Sequence, residues 1–167
     1  MKVSIIDRQR AGRVDGKRLG EFVQLVMGHV RPVPPATDWH GVSVILTGDA
    51  LIRRVNRDFL GHDEPTDVIS FTYPALPGPD SGATGEVFVN VQQALRLGAR
   101  YGGAARELAL YAAHGCDHLG GAEDATPGGR RRMRNRECRW LRSPDGRRLT
   151  RHLVDDASAA RPGTRKR

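Results

Sequence analysis

The chain is poor in cysteine and contains no long apolar run, and each scarcity excludes a class of protein. Cys116 and Cys138 are the 2 cysteines among 167 residues, too few for a scaffold built from disulfides. No stretch approaches the roughly 20 apolar residues that a membrane-spanning helix needs. The N-terminal MKVSIIDRQR lacks the apolar core and cleavage site of a secretory signal. We therefore expect a cytoplasmic protein with free thiols and no membrane partner.

Basic charge is concentrated at the C-terminal end. Residues 125–167 hold 14 Lys or Arg against 4 Asp or Glu, whereas residues 1–124 hold 13 against 15. A basic end of this kind favours a polyanionic partner such as RNA. Because 24 of the 27 basic residues are arginine, a GC-rich genome is an alternative explanation of the bias.

The apolar periodicity predicts a single α+β domain over residues 1–143. Between residues 15 and 30 apolar side chains recur at helical spacing. The order of elements predicts a small mixed four-stranded sheet packed with about five helices. Residues 144–167 are expected to form a basic, disordered tail. The remaining predicted helices cover 50–59 (capped by Asp49), 91–101, 104–119 and 126–142, and the strands cover 3–6, 41–46, 68–73 and 86–91.

His114 and His118, followed by Asp124, form the most informative segment. Side chains four apart lie on one face of a helix, so both imidazoles can bind one metal ion. Gly120 and Gly121 offer a place to end the helix and to bring Asp124 back toward that ion. Three protein ligands, with a fourth position left for water, are typical of a catalytic zinc site. We therefore predict one Zn²⁺ per chain at the end of a central helix, with these three ligands catalytic through the bound water.

The residues between the two histidines refine this prediction. Gly115 stands where a zinc peptidase of the metzincin type, whose ligand spacing is similar, carries a glutamate base. Glycine moves no proton, so peptidase activity is disfavoured. Cys116 is offset by about 200° from His114 around the helix and is expected in the core or against a neighbouring helix. Asp117 either orients a histidine ligand by contacting it on the side away from the metal or is solvated. No residue is an evident general base.

The loop over 74–84, rich in proline and glycine, is either a flexible rim of the active site or an ordinary surface loop. Between residues 63 and 71, Asp63 and Asp67 can serve as turn formers before a strand.

Four motifs occur in one order between about residue 40 and residue 140. They are Asn56 with Phe59, Asp63 with Pro65–Phe71 (PTDVISF), Gly85 with Glu86, and His114-Gly115, His118-Leu119, Gly121 and Asp124. In this order they resemble the motifs of the YbeY family of bacterial endoribonucleases. The chain departs from the family at Leu60, where many members carry arginine, and at Asp117, where leucine is usual. Asp124 replaces the commoner histidine, as in a subset of the family.

The resemblance implies a single-strand-specific, metal-dependent endoribonuclease of ribosomal RNA processing. The implied role is maturation of the 3′ end of small-subunit ribosomal RNA and ribosome quality control, with single-stranded ribosomal RNA and ribosome-associated proteins as partners. It also implies that the segment from Asp63 to Phe71 forms a wall of the metal cleft. His62 is a candidate phosphate contact or proton donor, or else a solvated loop histidine.

Two other functions remain open. The first is a ribosome-associated RNA-binding factor whose metal site is structural, which the basic C-terminal end would also suit. The second is a zinc peptidase, which Gly115 disfavours.

Overall fold

The computed structural model of the protein describes residues 1–75 and 82–155. In chain order its elements are β1 (Lys2–Asp7), β2 (Arg13–Val14), α1 (Gly16–Met27), β3 (Trp39–Thr47), α2 (Asp49–Val55), a π-helical turn (Asn56–Leu60), β4 (Val68–Tyr73), β5 (Ala83–Asn90), α3 (Val91–Tyr101), α4 (Ala104–Leu119), α5 (Pro127–Arg142), α6 (Pro144–Thr150) and β6 (Val154–Asp155). The predicted α+β class is confirmed, although the described residues form six α-helices rather than about five.

A mixed sheet with the strand order β1-β3-β5-β4 lies at the centre of the fold. β1, β3 and β5 run parallel, and β4 pairs with β5 in the antiparallel direction from Val68 opposite Val89 to Tyr73 opposite Thr84. This is the predicted four-stranded mixed sheet. The short strands β2 and β6 form a separate antiparallel pair.

Helix α4 is the central helix, and most of its residues are buried. Two glycines allow it to approach the sheet closely. A Cβ on Gly115 would lie 2.7 Å from Val68 Cγ2 and would also collide with Val87, while a Cβ on Gly85 would lie 2.6 Å from Leu119 Cδ1. Ser70 Oγ donates a hydrogen bond to the carbonyl of Gly115 (3.0 Å), which fixes the helix to β4. The helix that carries both histidines is therefore held firmly in register with β4 and β5.

The disorder expected from residue 144 onward is wrong for residues 144–155, which form α6 and β6. Leu149 is 3% exposed and Leu153 is fully buried, so this segment contributes to the main core. Ser143 caps α6 by accepting a hydrogen bond from Gly146 N (3.0 Å), with proline at the first helical position. The segment has few apolar residues, so its sequence did not predict that it would be ordered. Its order depends on contacts with α1 and α4. The functional division between 1–143 and 144–167 stays a prediction.

Helix α2 differs from the prediction at both ends. Its N-cap is Gly48, which makes no side-chain cap, and Asp49 is its first residue. The Asp49 carboxylate instead accepts hydrogen bonds from Asn90 Nδ2 (2.8 Å) and Arg96 Nη1 (2.9 Å). The helix ends at Val55 and continues as the π-helical turn, which ends at Gly61 with φ of 76°. Partners from β5 and α3 therefore decided the role of Asp49.

Three further expectations concern the rim loop, a membrane-spanning helix and Cys116. Residues 76–81 of the predicted rim loop lie outside the described residues. Among the helices of the described part, none has the length and apolarity needed to cross a membrane. Cys116 is fully buried in the core, as predicted, and burial raises the pKa of its thiol to about 12.

Candidate metal centre

The two histidines lie on the last turns of α4 with their rings converging. His114 Nε2 and His118 Nε2 are 3.1 Å apart, and the ring planes are 82° apart. The spacing of four residues produces this proximity because both side chains project from one face of the helix. Both rings are only partly exposed, so the two nitrogens face a sheltered volume.

The chain reverses immediately after α4 and brings Asp124 to the same place. Gly121 adopts a left-handed conformation with φ of 78°, which favours glycine, and its N–H donates to the carbonyl of His118 (2.9 Å). Asp124 Oδ2 then lies 3.7 Å from His114 Nε2. Arg130 Nη1 donates to the carbonyl of Asp124 (2.8 Å) and holds this segment against α5.

Hydrogen bonds at the far side of each ring set the tautomers. His114 Nδ1–H donates to Glu137 Oε1 (2.6 Å), and His118 Nδ1–H donates to the carbonyl of Ala122 (2.8 Å). Both Nε2 atoms therefore carry their lone pairs toward Asp124 and toward each other. Metal-binding histidines characteristically have a carboxylate or carbonyl at the second ring nitrogen, which orients the ring and raises its basicity.

The donor set fits a metal ion. Ligand atoms of His114, His118 and Asp124 all lie within 4.8 Å of one another, and they form a group that could hold one ion. Zinc bonds of about 2.0–2.1 Å in tetrahedral geometry place neighbouring ligand atoms about 3.3 Å apart. The 3.1 Å and 3.7 Å separations bracket that value. Two lone pairs this close also repel each other unless a cation or proton lies between them.

Electrostatics at His114 favour a bound positive charge. Burial lowers the pKa of His114, but the hydrogen bond to Glu137 and the charges of Glu137, Asp67 and Asp124 outweigh it, so the pKa lies above its usual value. The same carboxylates that stabilise a proton on the ring would stabilise a metal ion beside it. Sequence interpretation missed Glu137, although it is the one acidic residue in the arginine-rich segment of α5.

A cleft with a volume of about 400 Å³ opens beside this cluster. Asp67, immediately before β4, lines it, and no other residue of the predicted wall from Asp63 to Phe71 does. Asp67 Oδ1 accepts hydrogen bonds from Val68 N and Thr66 Oγ1, and within residues 1–75 and 82–155 its Oδ2 has no hydrogen-bond partner. The cleft is lined by Asp67, Tyr101, Glu107, Leu110, Tyr111, His114, Asp124, Arg130, Arg134 and Glu137.

Asp117 plays neither of its two predicted parts. Its carboxylate is buried and accepts hydrogen bonds from Arg136 Nε at 3.1 and 3.0 Å, with Arg136 Nη2 at 2.8 Å. This forked ion pair joins α4 to α5. The residue that contacts a histidine on the side away from the metal is Glu137, which follows Arg136 in the chain and accepts the hydrogen bond from His114 Nδ1.

The motif around residue 60 is separate from the cluster. Asp63 accepts hydrogen bonds from Arg53 Nε and Nη2, both at 2.9 Å, on the exposed side of α2, which lowers the pKa of its carboxyl group. His62 and Leu60 are exposed. None of the three lines the metal cleft, so the structure does not bring His62 to the site as a phosphate contact or proton donor.

The fold and the cluster together define an α+β domain whose central helix ends in a candidate His-His-Asp metal centre. The family described as Endoribonuclease YbeY matches residues 4–144, and the chain belongs to this family.

Individual relatives agree with this assignment. Endoribonuclease YbeY of Moorella thermoacetica is 39% identical over 142 residues, which cover 79% of this chain and 90% of the relative. Endoribonuclease YbeY of Salinibacter ruber is 38% identical over 106 residues, covering 60% of this chain and 68% of the relative. Some relatives are matched over less than two thirds of their length, 62% in the case of Elusimicrobium minutum.

The solution structure of a Thermotoga maritima protein has a similar fold, with a TM-score of 0.56 over 98% of this chain and 99% of that chain. Its sequence identity of 20% makes this a likeness of fold alone.

Proposed function

We propose that this chain is a zinc-dependent endoribonuclease that cleaves single-stranded RNA during ribosomal RNA processing in the cytoplasm. We include in this role maturation of the 3′ end of small-subunit ribosomal RNA, ribosome quality control and interaction with ribosome-associated proteins. The observation that carries the proposal is the convergence of two histidine Nε2 atoms and the Asp124 carboxylate beside a cleft that also holds arginines. Membership of the family supports RNA as the substrate.

Two imidazoles and one carboxylate are the donor types of a catalytic zinc site with an acidic third ligand. Bound there, the ion would polarise a phosphoryl oxygen and make water more acidic.

Arg134 is the residue that we assign to bind the scissile phosphate. It lines the metal cleft on α5, one helical turn before Glu137, and within the described ranges its guanidinium makes no hydrogen bond or ion pair. Arg130, at the same cleft, already donates to the Asp124 carbonyl. A guanidinium matches the geometry of a phosphate with two parallel hydrogen bonds.

Asp67 is the carboxylate that we assign to accept a proton from the attacking water. The other acidic groups of the cleft are engaged: Glu137 with His114, and Glu107 with Arg106 at 3.3 Å. Asp124 belongs to the proposed ligand set. This leaves Asp67, whose Oδ2 has no hydrogen-bond partner within the described residues. Asp67→Asn should lower kcat about 10²- to 10⁴-fold, the usual contribution of a general base, while leaving zinc content unchanged. Loss of zinc together with activity would contradict this role.

The function is tested by cleavage of single-stranded and double-stranded RNA by zinc-loaded protein, with a chelator and zinc add-back. His114→Ala should lose both zinc and cleavage, whereas His40→Ala, an exposed histidine outside the cleft, should keep both. Full cleavage by folded His114→Ala would overturn the metal-dependent mechanism. RNA binding without cleavage in any zinc-loaded preparation would favour the RNA-binding factor with a structural metal site.

The peptidase alternative loses support from the packing of Gly115. A glutamate there would point into Val68 and Val87 of the sheet and away from the cleft. The helix position that serves as base in zinc peptidases is therefore a packing position in this chain.

A further inference from the structure

A second groove, with a volume of about 970 Å³, is bounded by α1, α4, α5 and α6. None of its lining residues is acidic, and half of them are arginines. We call this surface the arginine groove. Its cationic lining consists of Arg18, Arg106, Arg142, Arg147, Arg148 and Arg151, with His152 beside them.

Some of these arginines serve the fold. Arg18 Nη1 donates to the carbonyl of Arg151 (2.8 Å), and Arg106 Nη1 donates to the carbonyl of Tyr101 (3.0 Å). Arg148 makes an exposed ion pair with Asp145 (3.4 Å).

The other three arginines of the groove make no such contacts. In the part of the chain that the structure describes, the guanidinium groups of Arg142, Arg147 and Arg151 make no hydrogen bond or ion pair, and all three residues are exposed. Cations of one sign gathered on one concave surface repel each other and raise the local potential. This arrangement favours a ligand that carries several negative charges in a row.

The arginine groove lies directly beside the metal cleft. At three places consecutive residues divide between the two surfaces: Tyr101 faces the cleft and Gly102 the groove, and Glu107 faces the cleft and Arg106 the groove. On α5, Glu137 faces the cleft and Cys138 the groove. Neighbouring residues of a helix point about 100° apart, so the two surfaces occupy adjacent faces of the same helices. An extended polymeric ligand that leaves the metal cleft over Tyr101 and Gly102 enters the arginine groove.

We propose that the arginine groove binds the sugar-phosphate backbone of the RNA strand that flanks the segment held in the metal cleft. This inference rests on the proposed RNA substrate. It assigns part of the RNA-binding surface to α5 and α6, in addition to the metal cleft. Arginine suits this ligand because its planar fork of donors matches phosphate oxygens, and because phosphate contacts require no particular base. An extended single strand can follow a positively charged groove of this kind.

The first test is the salt dependence of RNA binding. Arg142→Gln/Arg147→Gln/Arg151→Gln should reduce the slope of log K against log salt by about 2, since each phosphate contact with a single strand contributes about 0.7. Affinity for a single strand of about 20 nucleotides should fall at least about tenfold at low salt. Fluorescence anisotropy with a chelator present measures binding without cleavage, so an inactive enzyme does not obscure the result.

The matched control removes the same charge elsewhere. Lys2→Gln/Arg8→Gln/Arg10→Gln neutralises three exposed cations that line neither the arginine groove nor the metal cleft. Equal losses of slope in the two triple variants would overturn the proposal, because net charge alone would then explain the binding. Tighter binding of polyglutamate than of RNA, lost only in the groove variant, would assign the groove to an acidic protein instead.

Cys138 provides a local readout. It lines the arginine groove and is partly exposed, whereas Cys116 is fully buried. Single-stranded RNA should slow alkylation of Cys138 at least about fivefold in the wild type, and less in the triple groove variant, because bound RNA would cover the thiol. Unprotected Cys138 at saturating RNA would overturn the proposal even if cleavage is normal. Conversely, protection of Cys138 in a protein that cleaves no RNA would preserve the groove assignment and contradict the proposed enzyme.

Discussion

At the scale of single residues, the candidate site depends on a partner that lies 23 positions away in the chain. Glu137 on α5 accepts the Nδ1–H of His114 on α4. The ligand spacing could be predicted from the sequence because it follows from helix periodicity. The carboxylate that orients His114 could not be predicted, because its position depends on how α5 packs against α4. Asp117 is close to His114 in sequence but forms an ion pair with Arg136 instead, which also depends on how α5 packs against α4.

Glu137→Gln should therefore alter both the strength and the pH dependence of metal binding. Gln retains an acceptor but loses the charge, and zinc affinity near neutral pH should fall about 10- to 100-fold. Glu137 raises the pKa of His114, so in the wild type a proton competes with metal up to a higher pH. Without Glu137 the pKa of His114 should be lower than in the wild type, so the pH below which zinc affinity begins to decline should also be lower. Competition titrations across pH measure both effects.

The control for this variant is Glu123→Gln, which removes an equal charge from an exposed residue next to Asp124. It should change zinc affinity less than about threefold, since exposed charges are well screened. The same acid profile in Glu137→Gln and the wild type would contradict the role assigned to Glu137.

At the scale of elements, the sequence predicted most helices and strands but understated how closely α4 approaches the sheet. Periodicity and turn residues located α1, α3, α4 and α5 because these signals are local. Gly115 and Gly85 suggested no packing role in the sequence. Their role emerges only when Gly115 faces Val68 and Gly85 faces Leu119. Likewise α6 has few apolar residues of its own and is ordered by burial of Leu149 and by its Ser143 cap.

Gly115→Ala should destabilise the protein by about 1–3 kcal/mol, the usual cost of overpacking a close contact. The added methyl must push α4 away from Val68 and Val87, which also displaces His114 relative to Asp124. Urea unfolding with and without zinc measures the effect. Gly128→Ala is the matched control, because its Cβ meets nothing closer than Arg132 Nη1 at 3.4 Å. That variant should be as stable as the wild type or slightly more stable; an equal loss in both would contradict the packing argument.

At the scale of the whole molecule, one central helix joins the core, the candidate metal centre and the surface that we propose for RNA binding. α4 is buried against the sheet, carries two candidate ligands, and presents Glu107 and Arg106 to two adjacent surfaces. The fold partly locates the basic excess predicted from composition. Four of the six groove arginines are Arg142 on α5, Arg147 and Arg148 on α6, and Arg151 directly after α6. Composition alone could not separate RNA binding from genome bias, since the distinction depends on where the charges converge.

Truncation distinguishes the ordered C-terminal segment from the residues beyond it. A chain ending at residue 143 loses Leu149 and Leu153, which are buried in the main core. Removing a single buried leucine side chain costs about 2–5 kcal/mol. Two such losses rival the roughly 5–15 kcal/mol of a typical domain, so this chain should be unfolded or strongly destabilised. A chain ending at residue 155 keeps both leucines and the hydrogen bond from Asp15 N to the Leu153 carbonyl (2.9 Å). It should unfold within a few degrees of the full chain and retain zinc, as measured by calorimetry and metal analysis. Equal stability of the two truncated chains would show that α6 and β6 contribute nothing to the core, and would restore the boundary at residue 144.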